Sequence, residues 1–123
     1  MGVRTTTTKR SSNGKTTVTA TVDDDGGGGG SFEADVFLTF DVNKVNFPSG
    51  GVNINPQDGV AITDASTGLT MVTWSAQTVD DDGTDFSVIL ECKQRGSAIV
   101  EAWAMELPEG ATSDKSSVTI ECP

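Results

Sequence analysis

Apolar residues recur at every second position in several separate runs of this chain, the period of a strand with one buried face. In the last third, Phe86, Val88, Leu90 and Cys92 point one way and Ser87, Ile89, Glu91 and Lys93 the other. A second run sets Ala98, Val100, Ala102 and Ala104 against Ile99, Glu101 and Trp103, and a third sets Val118, Ile120 and Cys122 against Ser117, Thr119 and Glu121. Both cysteines fall on the apolar face of their own strand, near its end.

Upstream the same period returns. Val36, Leu38, Phe40 and Val42 share an inward face with Phe37 opposite, and Val45 and Phe47 precede a turn at Pro48 to Gly51. Val52 with Ile54, and Val60 with Ile62, predict short strands separated by the turn residues Asn55 to Gly59. From Leu69 to Val79 the alternation puts Val72, Trp74 and Ala76 on one face, with Trp74 as a large mid-core residue. This makes about seven body strands with turn signals between them, the signature of an all-β sandwich.

Residues 1–30 read differently. Asn13-Gly14 suits a tight type I′ turn, and beyond it Val18, Ala20 and Val22 share a face opposite Thr17, Thr19 and Thr21. A strand with so little apolar surface needs a sheet edge to join. The run Asp23 to Gly30 has the composition of a flexible linker. The expected organisation is an N-terminal arm over 1–30, a strand or hairpin plus glycine-rich linker, and a sandwich over 31–123.

The segment Gly96 to Ala104, then an acidic and polar loop, then Ser116 to Cys122, resembles the end of a bacterial immunoglobulin-like domain. Such domains close with a G-x-A-x-V-x-A strand, a small-residue loop and a V-T-V-type strand. The resemblance implies an immunoglobulin-like β-sandwich whose last three strands are E, F and G. It further implies that Cys92 and Cys122 meet at one end of the sandwich, either as a disulfide contributing about 3 to 4 kcal/mol or as two small buried thiols.

Charge sharpens the picture of the arm. The net charge is −10, yet Arg4, Lys9, Arg10 and Lys15, half of the 8 basic residues, lie in the first 15, and all 18 acidic residues lie from Asp23 onward. A basic arm on an acidic body invites docking onto an acidic protein neighbour, the alternative being a solvated tail. The acidic body argues against nucleic acid as a partner. No apolar stretch has membrane-spanning length, and the start MGVRTTTTKRSSNG lacks the apolar core of a signal peptide, so synthesis in a cytoplasm is expected.

Candidate chemistry is sparse. There is no histidine and no tyrosine, which removes the commonest general base and metal ligand. Thr-Val-Asp-Asp-Asp-Gly occurs at Thr21 to Gly26 and at Thr78 to Gly83. An EF-hand is rejected, since the position of the bidentate glutamate is Phe32 in one copy and Ile89 in the other. Asp80, Asp82 and Asp85 remain a weak calcium candidate beside the plainer reading of a solvated turn. No cofactor and no enzymatic activity are expected.

These readings, with the resemblance, lead to the expectation of a structural virion protein made in a host cytoplasm. Its partners would be neighbouring copies or shell subunits, in a homo-oligomer or larger assembly. The arm would anchor it by β-augmentation, with Val18, Ala20 and Val22 on the added strand and Arg4, Lys9, Arg10 and Lys15 setting its orientation. The alternative is a secreted cell-surface adhesin or polymerising fibre module.

Overall fold

The computed structural model describes residues 2–24, 30–51, 53–108 and 110–123. Its strands are β1 (Val3–Ser12), β2 (Lys15–Asp24), β3 (Phe32–Asp41), β4 (Val45–Asn46), β5 (Ile54–Asn55), β6 (Val60–Thr63), β7 (Leu69–Val79), β8 (Thr84–Cys92), β9 (Gly96–Leu107) and β10 (Ser116–Cys122). One sheet runs β1-β2-β8-β4, with β5 also on β8; the other runs β10-β9-β3-β7-β6. The two inner faces enclose a single core.

The first correction concerns the arm. Asn13 and Gly14 have φ of 53° and 77°, the left-handed values a type I′ turn requires, and the turn joins β1 to β2 as a two-residue hairpin. β2 then pairs along its length with β8, Val18 opposite Val88 and Ala20 opposite Phe86. Val18, Ala20 and Val22 are fully buried in the chain's own core, so their side chains are not available to a partner. A poor strand did need a sheet edge, and β8 of its own chain supplies it. Residues 2–24 therefore belong to the sandwich, against the division at residue 30; of the expected linker Asp23 to Gly30, residues 25–29 lie outside the described residues.

The inward faces of the body strands were legible. Val36, Leu38, Phe40, Val72, Trp74, Phe86, Val88, Leu90, Ala98 to Ala104 at alternate positions, and Ile120 are all buried. The Trp74 ring lies 5.5 Å from that of Phe86, and its indole N–H donates to the Pro56 carbonyl at 2.8 Å. Fully burying each large side chain contributes about 1.5 to 3 kcal/mol relative to exposure.

Val42 and Ala76 depart from their inward assignments. Val42 follows the end of β3, in a turn, and is only partly buried. Ala76 is exposed with φ 50°, because the ladder to β3 slips between Ala34 and Val36 and two residues of β7, Ser75 and Ala76, face Asp35. The Ala76 amide donates to the Asp35 carboxylate at 2.8 Å, which fixes this bulge. A one-residue slip exchanges the faces of a strand, and so Val79 is buried although its parity opposes that of Trp74. The strand expected from Val52 with Ile54 is described only as β5, since Val52 lies outside the described residues.

The lateral sides of the sandwich are unlike. On one, β1 lies against β10 and the gap is bridged by side chains: the Thr5 and Ser113 hydroxyls at 2.9 Å, the Thr7 and Ser116 hydroxyls at 2.8 Å, and Lys9 Nζ donating to the Thr119 carbonyl. The Cys92–Cys122 disulfide, with Cα atoms 5.7 Å apart, ties β8 of one sheet to β10 of the other at that end. Cys92 is exposed, against its assignment to the buried face, because it is the last residue of β8, whereas Cys122 is buried. On the other side, among the described residues, β6 has no strand neighbour beyond β7.

Candidate interaction surface

The outward face of the β10-β9-β3-β7-β6 sheet is built by the register of its ladders. Trp103 stands beside Phe37, Phe37 beside Thr73, and Thr73 beside Val60, one row across four strands. The next row is Glu101, Thr39, Met71 and Ile62, and Leu69 beside Asp41 opens a third. Outward positions therefore combine into an apolar surface with acidic points.

Its exposure is high for a sheet face. Val60, Ile62, Leu69 and Ile99 are 57%, 70%, 51% and 61% exposed, and all four point outward from this one sheet. Single exposed aliphatics need no explanation, but a contiguous set on one face does. Between Leu69 and Ile99 lies an open depression of about 540 Å³, also lined by Thr39, Asp41, Lys44 and Glu101. The small Thr39 between longer neighbours makes the face concave there.

Phe37 and Trp103 are half-buried by each other. Their rings stack at 5.4 Å with an interplanar angle of 22°, and Lys115 Nζ sits 4.8 Å from the Trp103 ring centre. An outward position for both rings followed from the alternation; the pairing with one another and with Lys115 did not.

The four basic residues expected to steer an arm are spread over the hairpin. Arg4 holds Asp23 through Nε at 2.9 Å and Nη2 at 2.8 Å, spanning β1 and β2. Lys9 is committed to Thr119, while Arg10 and Lys15 are exposed. Lys9 and Lys15 line a cavity of about 280 Å³ beside Cys92, Ile120 and Glu121. They do not gather with Val18, Ala20 and Val22 into one docking surface.

The acidic turn is internally bonded. The Gly83 amide donates to the Asp80 carbonyl at 3.0 Å, the Asp80 amide donates to Thr84 Oγ1 at 2.9 Å, and Thr21 Oγ1 donates to Asp85 at 2.6 Å. Among the described residues no three carboxylate or thiol side chains gather as metal ligands, and at this turn the Asp85 carboxylate is taken up by the Thr21 hydroxyl.

No protein-family model matches the chain, and no curated protein matches it. Solved structures do. A cohesin module of a family 33 glycoside hydrolase from Clostridium perfringens matches over 98% of this chain and 97% of its own, at 10% identity and a TM-score of 0.61. The collagen-binding domain of a Staphylococcus aureus adhesin matches over 98% and 99%, at 9% identity and a TM-score of 0.50. A chain of a type I cohesin–dockerin complex from Clostridium thermocellum matches over 100% of both chains, at 13% identity and a TM-score of 0.51. The chain is an immunoglobulin-like β-sandwich. At such identities the likeness extends to the fold alone; the surface just described is this chain's own.

Proposed function

We propose that this chain is a non-catalytic, protein-binding module working in an oxidising, extracellular setting, and that its partner docks on the outward face of the β10-β9-β3-β7-β6 sheet. The observation that carries the reading is the joining of Ile99, Leu69, Met71, Ile62 and the Phe37–Trp103 stack on that face, with Asp41 and Glu101 among them. Apolar centres with aromatic anchors supply binding energy, and the carboxylates favour a partner that brings cations. The absence of histidine and tyrosine from the sequence supports a binding role over catalysis.

The disulfide favours an oxidising compartment. The company of the fold, a cohesin in a complex with a dockerin and a collagen-binding adhesin domain, agrees with a protein partner at or beyond a cell surface. A virion setting is the narrower form of the reading. Anchoring through residues 1–22 is not part of it, because those strands complete the core.

The test is a comparison of the protein with an Ile99→Asp/Leu69→Asp variant, two exposed sites whose change spares the core. Both are offered as bait to the secreted and surface proteins of the source organism. Retention of one predominant protein by the unchanged chain, lost with the variant and weakened by salt, is the expected result. Retention indifferent to the variant but abolished by changes on the opposite sheet would end the proposal.

A further inference from the structure

β6 is the open rim of that sheet, and its chemistry is unusual for a rim. Among the described residues it pairs with β7 alone, Val60 opposite Thr73 and Ile62 opposite Met71. The Asp64 amide donates to the Leu69 carbonyl at 2.8 Å. In an antiparallel ladder a residue's N–H and C=O turn to the same side, and the side changes with each residue. Val60 and Ile62 share the parity of Asp64, so their main-chain groups face β7. Those of Ala61 and Thr63 therefore face outward, where no strand of the described residues lies.

Sheet edges are ordinarily guarded by lysine, proline, a bulge or a covering segment. β1, the edge on the other lateral side, has such guards: Lys9 and Arg10 in its sequence, and β10 bridged to it by hydroxyls. Val60–Thr63 has neither charge nor proline, all four of its residues are exposed, and its ladder to β7 is unbroken. Shortness is the one guard it keeps.

The ends of this rim are acidic. Asp58 and Asp64 bracket β6, and the span 56–79 contains no lysine or arginine. Asp64 is held ionised, with its carboxyl below the usual range, by the hydroxyl and then the amide of Ser66. Val60 and Ile62 send their side chains onto the same outward face as Met71 and Leu69, so a strand added at β6 would continue the apolar face rather than interrupt it.

We propose that β6 is a receptor edge. An extended segment of a partner protein pairs with Ala61 and Thr63 through its main chain, places aliphatic side chains at alternate positions beside Val60 and Ile62, and carries lysine or arginine at both ends to meet Asp58 and Asp64. The polarity is the reverse of an arm that donates a strand: this chain accepts one. A second copy is disfavoured as occupant, since each copy brings a net charge of −10 to an acidic rim. The inference rests on the outward sheet face being the docking face, and adds the mode and the partner's chemistry.

A displayed library of random dodecapeptides selected on the full chain tests it. Enriched peptides are expected to alternate aliphatic and polar residues between basic ends. Bound to the unchanged chain, they should protect the Ala61 and Thr63 amides from hydrogen exchange and leave Val60 and Ile62 unchanged. Ala61→Pro removes an outward donor without touching the ladder to β7, and should weaken binding about tenfold or more. N-methylation of alternate peptide amides should do the same with the protein unaltered, which covers a variant that fails to fold. No enrichment, acidic-ended peptides, binding indifferent to both changes, or a β6-dependent dimer of the chain itself would each overturn the proposal. Peptides that ignore Ala61→Pro yet are lost with Ile99→Asp/Leu69→Asp would leave the docking face standing without the edge.

Discussion

Val18 and Val88 stand directly opposite one another in the ladder between β2 and β8, and neither has any solvent exposure. A residue near the start of the chain thus completes the core against one from its last third. Val18→Ala is expected to cost about 2 to 3 kcal/mol of stability in chemical denaturation. Removal of residues 1–24 would bare the inner faces of β8 and its neighbours, and the remainder is expected to aggregate rather than fold. A folded, monomeric truncation product would refute this placement.

The disulfide links strands of opposite sheets across a sequence separation of 30. Cys92→Ser/Cys122→Ser is expected to lower stability by about 3 to 4 kcal/mol in the chain-entropy account. Reduction with a phosphine should reproduce the loss without mutation, because Cys92 is exposed. Equal denaturation midpoints with and without reductant would contradict it.

Gly59 has no room for a methyl group. A Cβ there would lie 2.6 Å from Trp74 Nε1 and 2.7 Å from Ile54 Cγ2. Trp74 is also held by its bond to the Pro56 carbonyl, so the ring has little freedom to retreat. Gly59→Ala is expected to cost about 1 to 3 kcal/mol, the usual range for overpacking, and to shift the Trp74 fluorescence. An unchanged midpoint and spectrum would show that the turn yields instead.

Asp64 offers a local pH test. Its carboxyl is held low by the Ser66 hydroxyl foremost and the Ser66 amide next. A depressed folded value means that the group's contribution to stability is present above the ordinary carboxylate pKa of about 3.9 and is lost as pH falls through the folded value. Carboxyl NMR should find the Asp64 midpoint below that of an unperturbed aspartate, and Ser66→Ala should move it upward. No movement would assign the shift elsewhere.

Strand existence and facing were written in the alternation of Phe86 to Leu90, Ala98 to Ala104 and Val36 to Phe40, since period two is imposed by local backbone geometry on each segment alone. The outward position of Ile99, Phe37 and Trp103 was legible by the same rule. What joined Ile99 to Leu69, or Val60 to Phe37, was the strand order β9-β3-β7-β6, to which no local pattern refers. The same limit hid the place of β2: Val18, Ala20 and Val22 announce an apolar face but not whose sheet will cover it, because pairing is a contest among all available edges. The bulge at Ser75–Ala76 was hidden likewise, its cause being the Asp35 carboxylate across the ladder. Local sterics set each strand and its two faces; only the assembled sheets decided which faces met, which edge closed on β10 and which, at β6, stayed open.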